Sequence, residues 1–160
     1  MQKILGLVLF ALCVISFSSY AKPVKVPDFS LPSTNGSVSP ESIAGKVVYL
    51  DFWASWCKPC VKSFPWLNQM QKKYKDKGLM ILAINLDKDK NLADEFLQRL
   101  PAEFTVAFDK EGVTPSLFKV SAMPSSYLVD SNGFIRGRHI GFREKDKANL
   151  EKAIASLLKH

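Results

Sequence analysis

Two cysteines separated by two residues, Cys57-Lys58-Pro59-Cys60, are the residues of this chain best placed to do chemistry. The run before them, Val47-Val48-Tyr49-Leu50, is continuously apolar and rich in β-formers, which predicts a strand covered on both faces. After them Val61, Phe64, Leu67, Met70 and Tyr74 recur at three- and four-residue steps. Lysines, Asn68 and glutamines fill the other face, so an amphipathic helix is expected to begin at the first cysteine. Pro59 suits its first turn, where a missing N–H had no helical partner to lose. Cys57 then stands at a helix N-terminus, where unpaired N–H groups and the helix dipole favour thiolate over thiol, and Lys58 adds a nearby positive charge. Cys60, one turn on, can close a disulfide with Cys57. An exposed nucleophilic sulfur followed by a sheltered resolving thiol is what thiol–disulfide exchange needs.

Asp51 is the one acid in the apolar strand. Burial penalises its charged form, so its pKa is expected to rise; the plainer alternative is a strand-end aspartate bonded to a loop. The cysteine pair could also be half of a zinc site. Zinc takes four ligands, usually in paired clusters. Beyond this pair the chain offers only Cys13, His139 and His160. Ligand count therefore favours a redox dithiol, with neither metal nor organic cofactor. Copper delivery would want a suitably placed histidine; His139 lies on a basic strand and reads as a surface residue.

The elements that must position these groups fit one domain. A chain of 160 residues, 47% of them apolar, is long enough for a real core and shows no internal repeat. Residues 1–21 have the pattern of an export signal: Lys3 is their one charge, Ile4 to Phe17 is largely apolar, and Ser19-Tyr20-Ala21 is a small-x-small cleavage site. The apolar run falls short of the ~18 residues of a spanning helix, although an uncleaved anchor in the inner membrane, facing the periplasm, is the alternative. Leu12 stands before Cys13 where a lipoprotein signal wants a small residue, so Cys13 is assigned to the discarded segment. The remaining domain, residues 22–160, keeps 21 basic against 15 acidic residues, a net charge of +6. Its lysines at 62, 72, 73, 75 and 77 follow helix-surface spacing, which argues for a solvated face and against nucleic acid.

Residues 22–45 are rich in proline and glycine and predict an extended entry, a short hairpin around Asn35-Gly36 and a turn of helix near Pro40–Ile43. Gly78 should end the redox helix, and Leu79–Ile84 is a second buried strand. Asp87 or Asp89 can cap a helix whose Leu92, Phe96, Leu97 and Leu100 face inward and which Pro101 stops. Phe104–Phe108 is a third strand and Gly112–Phe118 a short helical stretch. Strands alternating with helices at this spacing imply parallel pairing. Ser125–Val129 and Phe134–Ile140 flank the hairpin turn Ser131-Asn132-Gly133, and a final helix spans about Glu144–Leu158 with Leu150, Ile154, Leu157 and Leu158 on one face.

The string Asp51-Phe52-Trp53-Ala54-Ser55-Trp56-Cys57-Lys58-Pro59-Cys60 resembles the central motif of the thioredoxin superfamily. Pro65 matches the proline that bends that family's first long helix. Pro27-Asp28-Phe29-Ser30-Leu31 and the long segment between the cysteines and Met123-Pro124 resemble its TlpA/ResA-like branch. The resemblance implies an α/β thioredoxin-like fold: a central mixed sheet with helices on both faces, an N-terminal hairpin and an extra strand–helix insertion. It implies that Met123-Pro124 is a cis peptide beside the cysteines, with the Met123 backbone pairing an extended substrate. Trp56 would flank the cysteines and supply contact surface, Trp53 and Trp66 would be packing, and Gly141 would allow a close backbone approach. Asp51 would exchange a proton with Cys60. ResA-like proteins carry a glutamate three residues after the second cysteine; this chain has Ser63 there, which leaves the relay to Asp51.

On this resemblance the chain is expected to be a periplasmic thiol–disulfide oxidoreductase, a monomer acting on protein disulfides. A membrane thiol-electron transporter would recharge it. Net reduction is expected, because Lys-Pro between the cysteines and a buried acid resemble reductants. The client would be a haem-binding CxxCH segment in cytochrome c maturation or a metallochaperone. An oxidant or isomerase is the alternative within redox chemistry; a metal- or substrate-binding module that kept the fold is the alternative outside it.

Overall fold

The computed structural model describes residues 23–159. The expected export signal at residues 1–21, with Cys13 and its cleavage site, and His160 lie outside the described residues. In chain order the elements are β1 (Val24–Lys25), β2 (Leu31–Ser33), β3 (Gly36–Val38), β4 (Val47–Trp53), α1 (Lys58–Tyr74), β5 (Leu79–Asn85), α2 (Lys90–Arg99), β6 (Thr105–Phe108), α3 (Val113–Leu117), β7 (Ser125–Val129), β8 (Phe134–Ile140) and α4 (Lys147–Leu157). The eight strands form one sheet, ordered β1-β8-β7-β4-β5-β6-β2-β3.

All seven residues of β4 are buried. It lies between a parallel partner, β5, and an antiparallel one, β7, with both faces covered. A strand so placed has no solvent side, which is why its sequence does not alternate. Its side chains divide between two cores. Val47, Tyr49 and Trp53 pack with Cys60, Phe64, Trp66 and Leu67 of α1, Ala93 and Phe96 of α2, and Ile154 of α4. Val48, Leu50 and Phe52 pack on the other face with Val26, Phe29 and Ile43 of the N-terminal segment and Phe118 at the end of α3. β5 and β6 continue the parallel part of the sheet, while β7 and β8 form the expected antiparallel hairpin. The mixed sheet, the N-terminal hairpin and the additional α2–β6 unit match the expected α/β architecture.

Several local expectations change. Residues 40–45 form successive turns, not a turn of helix: Ser42 N–H donates to the Ser39 carbonyl and Ala44 N–H to that of Glu41. Val61 is 45% exposed, because the buried stripe of α1 runs through Cys60, Ser63, Phe64, Leu67, Met70 and Tyr74, one residue out of phase with it. On α2 Leu92 likewise faces solvent while Ala93 and Phe96 are buried. The first turn of the C-terminal segment, Glu144–Asp146, is a 3₁₀ turn that precedes α4. A further 3₁₀ turn, Lys75–Lys77, closes the redox helix, and Gly78 ends it at φ +93°, a backbone conformation that L side chains rarely adopt.

Candidate active site

Cys57 and Cys60 are joined as a disulfide with their Cα atoms 5.3 Å apart. Cys57 is the N-cap residue of α1 and Pro59 lies in its first turn. The Cys57 N–H donates to the Ala54 carbonyl and the Cys60 N–H to that of Cys57, so both sulfurs hang on a tightly wound start of the helix. Cys57 is more covered than the sequence suggested, at 4% exposed, because in the disulfide its sulfur is turned against its partner. Cys60 has no exposure at all. The asymmetry survives, and only the outer sulfur borders open space.

That space is a groove of about 640 Å³. It is lined by Trp56, Cys57, Lys58 and Pro59 around the first cysteine and by Leu86, Pro115 and the segment Val120–Met123. Trp56, 66% exposed, is an aromatic side chain left in solvent beside a reactive sulfur. The Met123–Pro124 peptide is cis, and Pro124 is buried just before β7. The Gly141 N–H donates to the Pro124 carbonyl at 2.8 Å, and Gly141 has φ +83°. The glycine thus carries the β7–β8 pairing up to the proline. The lining is mostly apolar, and Lys58 is its single charge.

Asp51 lies in β4 on the α1 side, the same face as Tyr49 and Trp53. It is 2% exposed; the Ser126 hydroxyl donates to Oδ1 at 2.8 Å, and Oδ2 has no hydrogen-bond partner. Burial pushes its pKa up to about 7, and the Ser126 bond offsets only part of that rise. This carboxyl therefore exchanges its proton near neutral pH. Ser63, three residues after Cys60, is buried, and its hydroxyl donates to the Cys60 carbonyl at 2.9 Å. It is spent on the helix backbone. Trp53 is fully buried between Phe64 and Phe96, as packing requires. Trp66 packs on Tyr49 and Phe142. His139 is not a free surface residue: its side chain is 24% exposed, with Nε2 3.4 Å from Asp146 Oδ2.

Asp87 has a different role from the one its position in sequence suggested. Asp89 caps α2, accepting from the Asn91 N–H. Asp87 is buried and accepts from the Ser55 N–H at 2.8 Å, the Ser55 hydroxyl at 2.9 Å and Asn85 Nδ2 at 2.7 Å. It fixes the turn that carries Trp56 and Cys57. No local pattern marks it, because Ser55 is 32 residues away and meets it only through the β4–β5 pairing. Asp87→Ala leaves three donors without their acceptor. It is expected to lower unfolding stability by about 2–4 kcal/mol in urea melts, with Asp87→Asn losing less.

Comparison with known proteins agrees with this geometry. The Redoxin family model matches residues 22–154. A thiol-disulfide oxidoreductase ResA of Bacillus cereus is 34% identical over 128 residues, covering 79% of this chain and 73% of that protein. The crystal structure of a protein provisionally named thiol:disulfide interchange protein DsbE, from Chlorobium tepidum, superposes with a TM-score of 0.84 at 54% identity. It covers 86% of this chain and 98% of its own. The thioredoxin domain of a thiol-disulfide oxidoreductase from Bacteroides vulgatus gives a TM-score of 0.74 at 26% identity, over 85% of this chain and 99% of its own. A dithiol pair on a helix start, set in this sheet and matched over most of its length by such relatives, places the chain in the Redoxin family, among the ResA/TlpA-like thiol-disulfide oxidoreductases.

Proposed function

We propose that this enzyme is exported and works in the periplasm as a reductant of protein disulfides, with Cys57 as nucleophile, Cys60 as resolving thiol and Asp51 as the proton partner of Cys60. The observation that carries the reading is the unequal placement of the two sulfurs: Cys57 borders the groove and Cys60 is sealed behind it.

In the reduced enzyme the Cys57 thiolate attacks one sulfur of a substrate disulfide. A Cys57–substrate bond forms, the substrate S–S bond breaks, and one substrate thiolate leaves. Cys60 passes its proton to Asp51 and attacks the Cys57 sulfur. The intramolecular disulfide closes and the second substrate sulfur is released. Two electrons have moved from the enzyme to the substrate, and the structure shows the enzyme's oxidised state. A membrane thiol-electron transporter would return them. The mostly apolar groove, with Met123 on its wall, suits an extended segment that adds its backbone alongside, and Trp56 extends the contact. A CxxCH segment awaiting haem, or a metallochaperone, has the required chemistry, and the single-domain enzyme would act as a monomer. Lys-Pro between the cysteines and the buried carboxyl support net reduction.

Equilibration of the disulfide against glutathione buffers tests the direction. A potential at or below about −230 mV supports a reductant, whereas one near about −120 mV would make the protein an oxidant.

A further inference from the structure

Asp51 is enclosed by protein, and so is Cys60, the thiol it would serve. The one hydrogen-bond partner of Asp51 belongs to the neighbouring strand: Ser126 of β7 stands directly opposite it, and His139 of β8 stands directly opposite Ser126. Side chains opposite one another across antiparallel strands share a face, so Asp51, Ser126 and His139 form one row across three strands. Ser126 and His139, but not Asp51 itself, border a cavity of about 190 Å³ between β8 and α4, whose lining also includes Tyr49, Arg136, Gly137, Arg138 and Leu150. A cavity of this size with polar groups in its wall accommodates water. Gly137 keeps it open, since a Cβ there would meet only Leu128 Cβ, at 3.9 Å.

We propose that Asp51 exchanges its proton with solvent through the Ser126 hydroxyl and this cavity, with His139 in its wall, and not through the substrate groove. The proposal rests on the reading of Asp51 as the acceptor of the Cys60 proton. When Cys60 gives up that proton and attacks Cys57, Asp51 becomes a neutral carboxylic acid. It donates to Ser126 Oγ while the Ser126 hydroxyl proton passes to cavity water; one hydroxyl has the donor and acceptor sites for both bonds. The charge released is balanced by the thiolate that leaves Cys57. The other ionisable groups around the row are Tyr49 on β4 and Cys60 on α1. Arg136 and Arg138 of β8 also line the cavity, with their guanidinium groups bonded to Asp130 and to the Lys119 carbonyl, and Asp146, next to His139, is held by Arg143. The route stays open while substrate covers the groove, because it leaves the sheet between β8 and α4.

The test uses the reduced full chain and 5,5′-dithiobis(2-nitrobenzoate). The first thionitrobenzoate released reports attack by Cys57 and the second reports resolution by Cys60, so the first phase is an internal reference. Ser126→Ala and Gly137→Val, the latter filling the cavity mouth from a position without positive φ, should each slow the second phase about tenfold and alter its pH profile. Added imidazole should restore Ser126→Ala, whose cavity is open, and not Gly137→Val. If both variants melt like the parent and resolve at the parent rate while Asp51→Asn is slow, the route is overturned and the role of Asp51 stands. If Asp51→Asn itself resolves at the parent rate, both fall. Slowing confined to Ser126→Ala and unrelieved by imidazole marks the lost hydrogen bond alone and also overturns the route.

Discussion

Cys57→Ser is expected to reduce disulfides at least about 10³-fold more slowly than the parent, because the nucleophile itself is gone and no other cysteine of the described residues borders the groove. Cys60→Ser should fail differently. Its Cys57 still attacks, but nothing displaces the substrate, so mixed disulfides with protein clients accumulate and survive non-reducing electrophoresis. The distinction follows from burial: Cys57 borders the groove, and Cys60 meets only protein. Alkylation of the reduced enzyme at neutral pH should label Cys57 first. Faster labelling of Cys60, or trapped clients on Cys57→Ser, would reverse the assignment. The trapped clients, identified by mass spectrometry, would also show whether CxxCH segments or metallochaperones are among them.

The second large effect lies in the pH dependence of stability. Asp51 titrates at 3.8 when exposed and at about 7 in the folded protein. Between those values the folded state holds a proton that the unfolded state has released. Stability therefore falls as pH rises through that window, and the loss is complete above the folded pKa. A shift of this size corresponds to roughly 4 kcal/mol at most. Asp51→Asn removes the ionisation with little change of volume, so the fall in stability between pH 4 and 7 should largely disappear. Above neutrality the variant should be more stable than the parent by about 1–3 kcal/mol. The gain is less than the full shift, because the new amide N–H group, set where Oδ2 had no partner, is buried without an acceptor. On the proposed role of Asp51, the same variant should resolve mixed disulfides about 10²-fold more slowly, for want of an acceptor for the Cys60 proton. Denaturant melts and single-turnover kinetics of both proteins check the two halves. A variant less stable above neutrality yet fully active would make Asp51 a structural hydrogen-bonding residue.

These effects depend on features of unequal legibility in the chain. The strand–turn–helix around the cysteines could be read directly, because each part is a local pattern. An unbroken apolar run marks a strand covered on both faces, a proline suits a first helical turn, and three- and four-residue steps mark an amphipathic helix. The phase of the helices was less secure. Val61 and Leu92 fit the apolar spacing as well as their neighbours do, yet both face solvent. The side of a helix that turns inward is set by what it packs on, and Phe64 and Phe96 are drawn against Trp53 of the central strand. The turns at residues 40–45 illustrate the same limit: a few polar residues after a proline suit a helical turn and a chain of turns alike.

The sequence by itself determined the reactive pair, its place at a helix start, the parallel centre of the sheet and the one carboxyl inside it, since all of these rest on the identity and spacing of near neighbours. Only the tertiary structure decided what surrounds them. Ser126 reaches Asp51 across 75 residues of chain; Asp87 grips Ser55 across 32; Met123 and Trp56 line one groove; and His139, read as a surface residue, is half-buried beside Asp146. Each of these contacts is made by strand pairing or by helix packing between distant segments. The free energy of such contacts comes from the whole sheet and its two cores, so no short window of sequence contains it.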